Sequence, residues 1–370
     1  MKIAIEAQRI FRTNKHGMDF VALESIRELQ KIDHKNEYYI FVSPGPDKCL
    51  KETPNFHIVE LKCPTYPLWE QWALPRAVNK LKPALLHCTS NTAPIRCSVP
   101  LVLTLHDIIF LEPRQSSSKS LYQEMGWHYR RHVVPRILDK CRKIITVSKF
   151  ECNRIKNSLH LKDDVITSIY NGYNNHFCQG DADRNVIRKY IDADNYLFFL
   201  GNTDPKKNAP RVLKAYKQYL DKSSRKLPLL IADMKEEYLD TLLEAEGIKD
   251  IKQYLRYPGY IANTDLADLY RGASAFLYPS LRESFGIPML EAMACGTPVI
   301  AGNTSAMPEI VGDCALLADP FNESDIATQL LNLETQEGLK EKMTEKGLER
   351  VKLFSWRHTA EELLKIYESI

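Results

Sequence analysis

Short apolar runs alternate with longer amphipathic stretches along nearly the whole chain. Short apolar runs are typical of strands that are buried on both faces, whereas apolar positions that recur at the helical period indicate helices. In the first half the runs predict strands at residues 2–7, 38–43, 57–61, 84–88, 101–106, 143–147 and 167–170. The amphipathic stretches between them predict helices at residues 18–31, 69–80, 122–140 and 149–158.

The same alternation begins again after residue 180. Here the pattern predicts strands at residues 196–200, 227–232, 275–278, 298–301 and 315–317, and helices at 208–220, 239–247, 264–272 and 288–295. Strand–helix alternation implies parallel sheets with helices on both faces, and two such series imply two doubly wound domains facing across a cleft. We expect the boundary within residues 174–194, where turn formers and charges cluster without periodicity.

The composition agrees with two ordinary α/β domains. A chain of 370 residues exceeds what one hydrophobic core usually organises, and its 44% apolar and 26% charged residues are typical of soluble globular proteins. No apolar run is long enough to span a bilayer, and Glu6 and Arg9 make the N-terminus a predicted strand rather than a signal peptide. Nine scattered cysteines without a Cys-x-x-Cys pair predict free thiols in a reducing cytosol.

The net charge of +3 hides an asymmetry between the two halves. Residues 1–180 hold 26 Lys and Arg against 17 Asp and Glu, whereas residues 181–370 hold 24 against 30. Much of the excess lies at residues 127–149, where basic residues accompany Trp127 and Tyr129. A basic, aromatic helix here would dock on an anionic membrane surface or form a solvated helix face, and both interpretations remain open. No nucleic-acid-binding module accompanies the charge, so nucleic acid is not an expected partner.

Residues 275–296 carry the clearest candidate site. A buried strand is predicted to end near Ser280, and Gly286 would allow sharp turning or close approach of a ligand. Pro288 suits the first turn of a helix that should stop at Gly296. The free N–H groups and the dipole at the start of such a helix favour an anion. The sequence therefore predicts a phosphate at this helix end.

Two glutamates bracket the predicted phosphate site. Glu283 and Glu291 are placed to accept hydrogen bonds from hydroxyl groups of whatever anion binds, although a pair of glutamates at this spacing, taken alone, is usually two solvated charges. The amides that would meet the phosphate belong to Phe285, Gly286 and Ile287.

A second anion-binding candidate follows the strand predicted at residues 196–200. The loop reads GNTDPKKN, and Lys206 and Lys207 would lie over the oxygens of a diphosphate, or form a solvated lysine pair at a turn. The Asp-Ala-Asp triplets at 181–183 and 192–194 lie in the expected linker, not at a strand end, so we expect no metal ligands there. The dinucleotide-binding and P-loop signatures are absent, which excludes two other classes of phosphate-binding enzyme.

The string YPSLRESFGIPMLEAMACGTPVIA resembles glycosyltransferase family 4, the retaining transferases of GT-B fold that use nucleotide-sugar donors. The resemblance is specific over residues 273–309 and continues more faintly over nearly the whole chain. It implies two Rossmann-like domains, with residues 1–180 binding the acceptor and residues 181–354 binding the donor. It also implies a last helix, in residues 355–370, that packs back on the first domain.

The resemblance assigns roles to residues of the second half. Lys207 matches the family lysine that contacts the donor diphosphate, while Glu291 is implied to bind the ribose and Glu283 the sugar hydroxyls. Asn202 stands where the family often has an arginine, so Lys206 would supply part of the second cationic contact, or the site is less positive than usual.

Four further residues match family positions. His106 matches a histidine near the donor sugar and is implied, with Glu283 and Lys207, to be catalytic; Asp107 would orient it. Gly17 is what remains of a glycine-rich turn that meets the phosphates, and Tyr260 and Ile261 match the loop that holds the base; ordinary turns explain these features equally well.

Together these implications predict a retaining hexosyltransferase acting in bacterial surface polysaccharide synthesis. The donor would be a nucleoside diphosphate sugar, with GDP-mannose favoured over UDP-hexoses, and the acceptor a hydroxyl of a saccharide or lipid-linked saccharide. We expect no cofactor and no obligatory metal. The location would be cytoplasmic or peripheral on the inner face of the membrane. The alternatives are a nucleotide-sugar epimerase of the same fold and a non-catalytic, two-lobed sugar-binding protein.

Overall fold

A computed structural model describes residues 1–112 and 121–370. These residues form two compact units, one made of Met1–Gly172 with Ser355–Ile370 and the other of Tyr173–Phe354. Each unit has its own parallel sheet and its own buried apolar clusters. All nine cysteines are free thiols, as the sequence predicted.

The first unit is built on one parallel sheet. Its strands, in the part of the chain that the structure describes, are β1 (Lys2–Glu6), β2 (Glu37–Val42), β3 (Phe56–Glu60), β4 (Leu85–Cys88), β5 (Leu101–Thr104), β6 (Cys141–Thr146) and β7 (Ile166–Ser168). Their spatial order is β3-β2-β1-β4-β5-β6-β7, and every neighbouring pair is parallel. This is the doubly wound order that two sets of crossover helices produce.

The helices between these strands follow the amphipathic stretches. They are α1 (Gly17–Ile32), α2 (Tyr66–Leu68), α3 (Leu74–Leu81), α4 (Leu121–Ile137) and α5 (Lys149–Leu159). A π-helical turn at Trp69–Ala73 interrupts the helix predicted at residues 69–80. Pro75 follows this turn and has no N–H to give to the carbonyl of Gln71, so a regular α-helix cannot run unbroken through it.

Residues 127–149 do not form the one basic helix that their charge suggested, whereas the helix predicted at 122–140 and the strand predicted at 143–147 are both present. Helix α4 ends at Ile137, a 3-10 turn follows at Leu138–Lys140, and the next residues form β6. Ile144 and Ile145 pair with β5 in the sheet and are buried or nearly so, because an apolar β-branched run fits a central strand better than a helix. The basic residues of this stretch are therefore divided between a helix, a turn and a strand.

The second unit repeats the same plan. Its strands are β8 (Leu197–Leu200), β9 (Leu229–Ala232), β10 (Leu255–Gly259), β11 (Ala275–Tyr278), β12 (Val299–Gly302) and β13 (Leu316–Ala318). They are all parallel, in the order β10-β9-β8-β11-β12-β13. The two sheets confirm the predicted pair of Rossmann-like α/β domains.

The second unit has helices α6 (Arg184–Arg188), α7 (Ala209–Lys222), α8 (Glu236–Ala245), α9 (Leu266–Gly272), α10 (Ile287–Ala294), α11 (Met307–Val311), α12 (Glu323–Thr335) and α13 (Leu339–Val351). The last helix, α14 (Trp356–Glu368), packs on α1 of the first unit. Its Tyr367 hydroxyl lies 2.6 Å from Nδ1 of His87, and Thr359 Oγ1 donates to the carbonyl of Tyr170 at 2.7 Å. Among the described residues, no helix combines the length and the apolar character that crossing a bilayer requires.

The boundary between the units lies earlier in the chain than the expected boundary between residues 180 and 181. The chain passes into the second unit at Tyr173, because the segment that follows is anchored there. Phe177 is fully buried with its ring edge-on to Tyr270, and Arg271 donates to the carbonyls of His176 and Cys178. Turn-forming composition made this segment resemble a linker, but one buried aromatic ring and one guanidinium fix it in place.

Each sheet reverses its winding direction at one point. In the first sheet this switch point lies between β1 and β4, and in the second it lies between β8 and β11. Open α/β sheets bind ligands beyond the carboxyl ends of the strands at such points. The loops that follow β8 and β11 are residues 201–208 and 279–286, which carry the lysine pair and Glu283.

Candidate functional site

The loops after β8 and β11 meet at the switch point of the second sheet. Lys207 Nζ lies 2.8 Å from Oε1 of Glu283, and the two side chains are only 14% and 11% exposed. The N–H of Leu281 donates to the carbonyl of Lys206 at 2.8 Å, which joins the two loops through their backbones. The structure thus brings together three of the predicted site residues, and the lysine and glutamate form a largely buried ion pair.

Side-chain caps determine the shape of the lysine loop. Asn202 Oδ1 accepts a hydrogen bond from the N–H of Asp204 at 2.8 Å, and Asp204 in turn caps the 3-10 turn Pro205–Lys207. Asn208 has a φ of 64° and its amide donates to the carbonyl of Pro279, which ties this loop to the one after β11. Asn202 therefore shapes the loop that presents Lys207, in the position where an arginine was expected to contact phosphate.

The loop after β12 holds the backbone of Glu283. The N–H of Glu283 donates to Ser305 Oγ at 3.0 Å, and the N–H of Ala306 donates to the carbonyl of Glu283 at 3.3 Å. Thr304 Oγ1 donates to the carbonyl of Leu281 at 3.2 Å. Glu283 is thus fixed from both sides, a contribution of Thr304 and Ser305 that the sequence interpretation missed.

The ion pair keeps Glu283 ionised. Burial alone would raise the pKa of this carboxyl, but the charges of Lys207 and Lys206, together with hydrogen bonds from Lys207 and Tyr278, lower it below its usual value. Lys207 Nζ also donates to the Tyr278 hydroxyl at 2.9 Å and lies 4.4 Å from the centre of the Tyr278 ring. A charged carboxylate and a charged lysine therefore face the same small volume.

Helix α10 begins beside this pair, as predicted. Gly286 precedes it with a φ of 98°, a left-handed conformation that strains any other residue, and a Cβ there would also push Met289 Cε away from its place 2.5 Å distant. Pro288 has no N–H and the N–H of Met289 donates to the carbonyl of Gly286 at 3.0 Å, so the N–H of Ile287 is the first-turn group that is available to an anion. Phe285 packs its buried ring edge-on against Phe354, so any contact it makes with a ligand is through its backbone.

Glu291 lies one turn into α10. Burial raises the pKa of its carboxyl to about 8, an effect that the neighbouring Tyr270 hydroxyl reduces in part. Without a ligand, this side chain therefore carries a proton at neutral pH and can donate as well as accept a hydrogen bond. That property suits a group expected to bind the paired hydroxyls of a ribose.

Tyr260 and Ile261 follow β10, which is separated from β8 by β9. The Tyr260 side chain is 80% exposed, so a ligand in solution could reach its ring, whereas the side chain of Ile261 is buried. Of this predicted base-binding pair, only the tyrosine offers a side chain, and Ile261 offers only its backbone.

His106 and Gly17 belong to the first unit. His106 follows β5 and is buried, with Nε2 lying 3.0 Å from the carbonyl of Thr89, and burial lowers the pKa of its imidazole. A neutral ring that donates from Nε2 leaves Nδ1 as an acceptor. Gly17 starts α1, and a Cβ added there would meet no atom within 4 Å, so packing in the described residues does not require glycine.

The switch point of the first sheet holds two buried acids that the sequence interpretation missed. Glu6 ends β1 and accepts hydrogen bonds from the backbone of Gln8 and Thr89, while burial raises its pKa to about 7. Glu70 lies in the π-helical turn and accepts from the hydroxyls of Tyr66 and Tyr129, among others. A charge inside the first apolar strand was a usable signal for Glu6, but nothing in the helical pattern around Glu70 indicated burial.

In the described parts of the chain, 1–112 and 121–370, no cluster of three or more His, Cys, Asp or Glu side chains could hold a metal. Asp183, from the first Asp-Ala-Asp triplet, caps α6, and Asp194, from the second, pairs with Arg184. The expectation that no metal is needed stays a prediction.

Comparison with known proteins identifies the family. The model of "Glycosyltransferase Family 4" matches residues 16–177, and that of "Glycosyl transferases group 1" matches residues 183–350. O-antigen chain mannosyltransferase B of Escherichia coli is 30% identical over 308 residues, which cover 82% of this chain and 78% of that protein.

Solved structures show the same fold. Sucrose-phosphate synthase from Thermosynechococcus elongatus superposes with a TM-score of 0.75 at 18% identity, covering 100% of this chain and 98% of that one. HepE from Anabaena, solved in complex with UDP-glucose, gives 0.72 at 16% identity with both chains fully covered. These likenesses show the GT-B fold, and the family models and the Escherichia coli relative show that the chain belongs to glycosyltransferase family 4.

Proposed function

We propose that this protein is a retaining hexosyltransferase of bacterial surface polysaccharide synthesis, moving a hexose from a nucleoside diphosphate sugar to an acceptor hydroxyl. The observation that carries the proposal is the Lys207–Glu283 pair, which lies at the switch point of the second sheet in the loops that lead into α7 and α10. Mannose is the favoured sugar because the Escherichia coli relative is a mannosyltransferase. HepE, whose structure contains UDP-glucose, keeps UDP open as the donor nucleotide.

Different residues of the second unit would bind the diphosphate, the ribose and the base of the donor. Lys207, Lys206 and the N–H of Ile287 at the start of α10 would meet the diphosphate, where negative charge grows as the sugar leaves. Glu291 binds the ribose hydroxyls, and the exposed ring of Tyr260 stacks on the base. The first unit would bind the acceptor, a saccharide or lipid-linked saccharide.

The reaction would proceed on one face of the sugar. The bond between the anomeric carbon and the phosphate oxygen breaks, the acceptor oxygen bonds to the same face, and the departing phosphate oxygen takes the acceptor's proton. Glu283 holds sugar hydroxyls, and its negative charge favours the oxocarbenium-like transition state. A double displacement with Glu283 as nucleophile is disfavoured because its carboxylate is already engaged by Lys207. His106 would accept a hydrogen bond at Nδ1, and no metal takes part.

The test is a transfer assay with GDP-mannose and UDP-glucose against a panel of lipid-linked saccharides, with product configuration read by NMR. We expect a retained anomeric centre, activity in EDTA, and loss of at least about 100-fold for Lys207→Ala. Lys217→Ala is the matched control, because its ion pair with Asp221 lies on the exposed side of α7. A product with inverted configuration would contradict the mechanism.

The alternatives give different results in the same assay. An epimerase releases a free, isomerised sugar in the absence of any acceptor. A non-catalytic binding protein transfers nothing and keeps its function when Lys207 or Glu291 is replaced. If no nucleoside diphosphate raises the melting temperature at millimolar concentration, the donor-site assignment is wrong.

We also propose peripheral association with the inner face of the cytoplasmic membrane, on a surface defined by Leu68, Trp72 and Met125. Trp72 is 57% and Met125 68% exposed, and Arg76 stacks on the Trp72 ring at 4.8 Å. A hydrogen bond from the Gln71 side chain to the Tyr129 hydroxyl connects the π-helical turn with helix α4. Apolar side chains next to arginines suit an anionic lipid surface, with the indole at the headgroup level.

Vesicle sedimentation tests this surface. We expect binding to vesicles that contain phosphatidylglycerol and not to pure phosphatidylcholine, with a loss of binding for Trp72→Ser. Leu353→Ser is the matched control, since Leu353 is similarly exposed in the second unit. Equal binding by both variants would contradict the proposal.

A further inference from the structure

Tyr278, the last residue of β11, lies against both charged groups of the proposed donor site. Its hydroxyl accepts a hydrogen bond from Lys207 Nζ at 2.9 Å, and the ammonium also lies 4.4 Å from the ring centre. Because the hydroxyl accepts from Lys207, its own proton remains available to donate. The same ammonium lies 2.8 Å from Oε1 of the Glu283 carboxylate, so this carboxylate is adjacent to the hydroxyl, and a hydrogen bond from Tyr278 lowers the pKa of Glu283.

The position of the Tyr278 ring is fixed by packing. The side chain is buried, with Phe276 at 5.6 Å between ring centres, and a Cβ added to Gly286 would lie 3.5 Å from the ring edge. The ring therefore lies directly beneath the loop that starts α10. Burial and the nearby carboxylates raise the pKa of the hydroxyl well above its ordinary value, so it stays protonated and able to donate at every working pH.

We propose that Tyr278 is a positioning residue of the donor site, whose hydroxyl fixes the Lys207 ammonium and the Glu283 carboxylate relative to each other. This inference rests on the proposed function, and sequence reasoning did not find it because the run AFLYP reads as a plain core strand. Tyr278 contacts the two groups expected to act on the donor and is itself too buried to contact the sugar.

The physical reason is competition for the lysine. When a diphosphate binds, Lys207 has to share its donors between the phosphate oxygens and Glu283. A neutral hydroxyl that accepts from the ammonium keeps it in place without adding negative charge. The same hydroxyl donates to Glu283 and so replaces part of what the carboxylate loses when Lys207 turns to phosphate. Both groups thereby keep their positions through the reaction.

Tyr278→Phe isolates the hydroxyl, because the ring, its packing and the ammonium–ring contact all remain. Tyr196→Phe is the matched control: it removes another fully buried hydroxyl of the same unit, which donates to the carbonyl of Leu269 at 2.7 Å. For Tyr278→Phe we expect kcat/KM to fall roughly 10- to 100-fold, as for loss of a hydrogen bond to a charged group. The control should lose thermal stability to a similar extent and keep its activity.

A pH measurement separates positioning from a merely structural effect. The charged groups acting on Glu283 are Lys207 and Lys206, while Asp233 at the end of β9 is also within reach of Lys207. Removing the Tyr278 hydroxyl takes away one bond to the ionised carboxylate, so Glu283 should titrate at higher pH. We therefore expect the acid limb of kcat/KM to move to higher pH in Tyr278→Phe and to stay in place in the control.

The same titration can be followed without substrate, by NMR of protein labelled with 13C in the glutamate carboxyls, using Glu283→Gln for assignment. An upward shift of the Glu283 titration in Tyr278→Phe alone supports the inference. An unchanged titration, or an equal change in Tyr196→Phe, overturns it. If the wild-type protein transfers no sugar while the Glu283 titration still shifts, the proposed function is wrong and the link between Tyr278 and Glu283 stands.

Discussion

Replacing Glu283 with glutamine should tighten the binding of a free nucleoside diphosphate while it suppresses sugar transfer. Without a ligand, Lys207 Nζ is bonded to the Glu283 carboxylate at 2.8 Å. An incoming diphosphate competes with this carboxylate for the lysine and is also repelled by its charge. Glutamine keeps the size and one acceptor oxygen of the side chain but removes the competing charge. Sugar transfer would still fall, because the negative field near the anomeric carbon is lost.

The expected gain follows from the geometry of the pair. A phosphate oxygen bound to the far side of the Lys207 ammonium would lie about 6 Å from the Glu283 carboxylate. At an effective dielectric constant of about 20, repulsion over about 6 Å amounts to roughly 3 kcal/mol. Solvent and salt screen part of this repulsion where the site is open to water. Hydration of the Lys207 ammonium offsets a further part of it. We therefore expect a net gain of about 1 kcal/mol, or roughly a fivefold lower Kd.

Calorimetry with GDP and with UDP at low ionic strength measures the effect, and the transfer assay measures the accompanying loss of turnover. Glu244→Gln is a control that changes the net charge equally, since Glu244 forms an exposed ion pair with Lys249. Glu291→Gln should weaken binding if Glu291 holds the ribose. If Glu283→Gln binds both nucleotides more weakly than wild type, Lys207 is not the group that meets the diphosphate.

Three further predictions concern single residues on which the fold depends. Gly286→Ala should lower stability by about 1 to 3 kcal/mol and abolish nucleotide binding, because φ is 98° and the new Cβ meets Met289; thermal melting and calorimetry measure both. The buried Glu6 carboxyl has a pKa of about 7 in the folded protein against 4.5 when exposed. The protonated carboxyl therefore contributes fully to the free energy of unfolding below pH 4.5, and this contribution is lost as the pH rises through 7. In the wild-type protein this costs about 3 kcal/mol of the free energy of unfolding over that pH window, and in Glu6→Gln this decrease should be absent. Urea unfolding at several pH values measures the difference. Gly172→Ala should loosen α14, since its Cβ would lie 2.1 Å from the backbone nitrogen of Trp356; faster hydrogen exchange in α14 is the measure.

The sequence was sufficient for most of the fold because buried parallel strands are nearly uniform apolar runs. Strand β10 was missed for a physical reason: its sequence, LRYPG, includes a charge and a proline, which an edge strand tolerates and a central strand does not. The boundary at Gly172 was also missed, because the contacts of Phe177 and Arg271 are long-range and leave no local pattern.

The candidate site was predictable in its parts but not in its contacts. The lysine loop and the glutamate loop could each be placed at the end of a strand, since both follow short apolar runs. That they meet depends on the sheet order, which makes β8 and β11 neighbours although 76 positions separate the paired side chains. The role of Tyr278 was hidden because a tyrosine at the end of a buried strand is first of all a core residue.

Asn202 shows how the chain manages without an arginine in the lysine loop. Its side chain caps the N–H of Asp204, and Asp204 caps the turn that carries Lys206 and Lys207. Two side-chain caps therefore shape the loop before any ligand binds, so binding of a diphosphate by the lysines would cost little entropy. An arginine in place of Asn202 would add a charge but remove this cap. In the proposed donor site, the positive charge would instead come from Lys206, which is close enough to lower the pKa of Glu283, and from the N–H of Ile287. If the proposed donor site is correct, preorganised geometry takes the place of one cation.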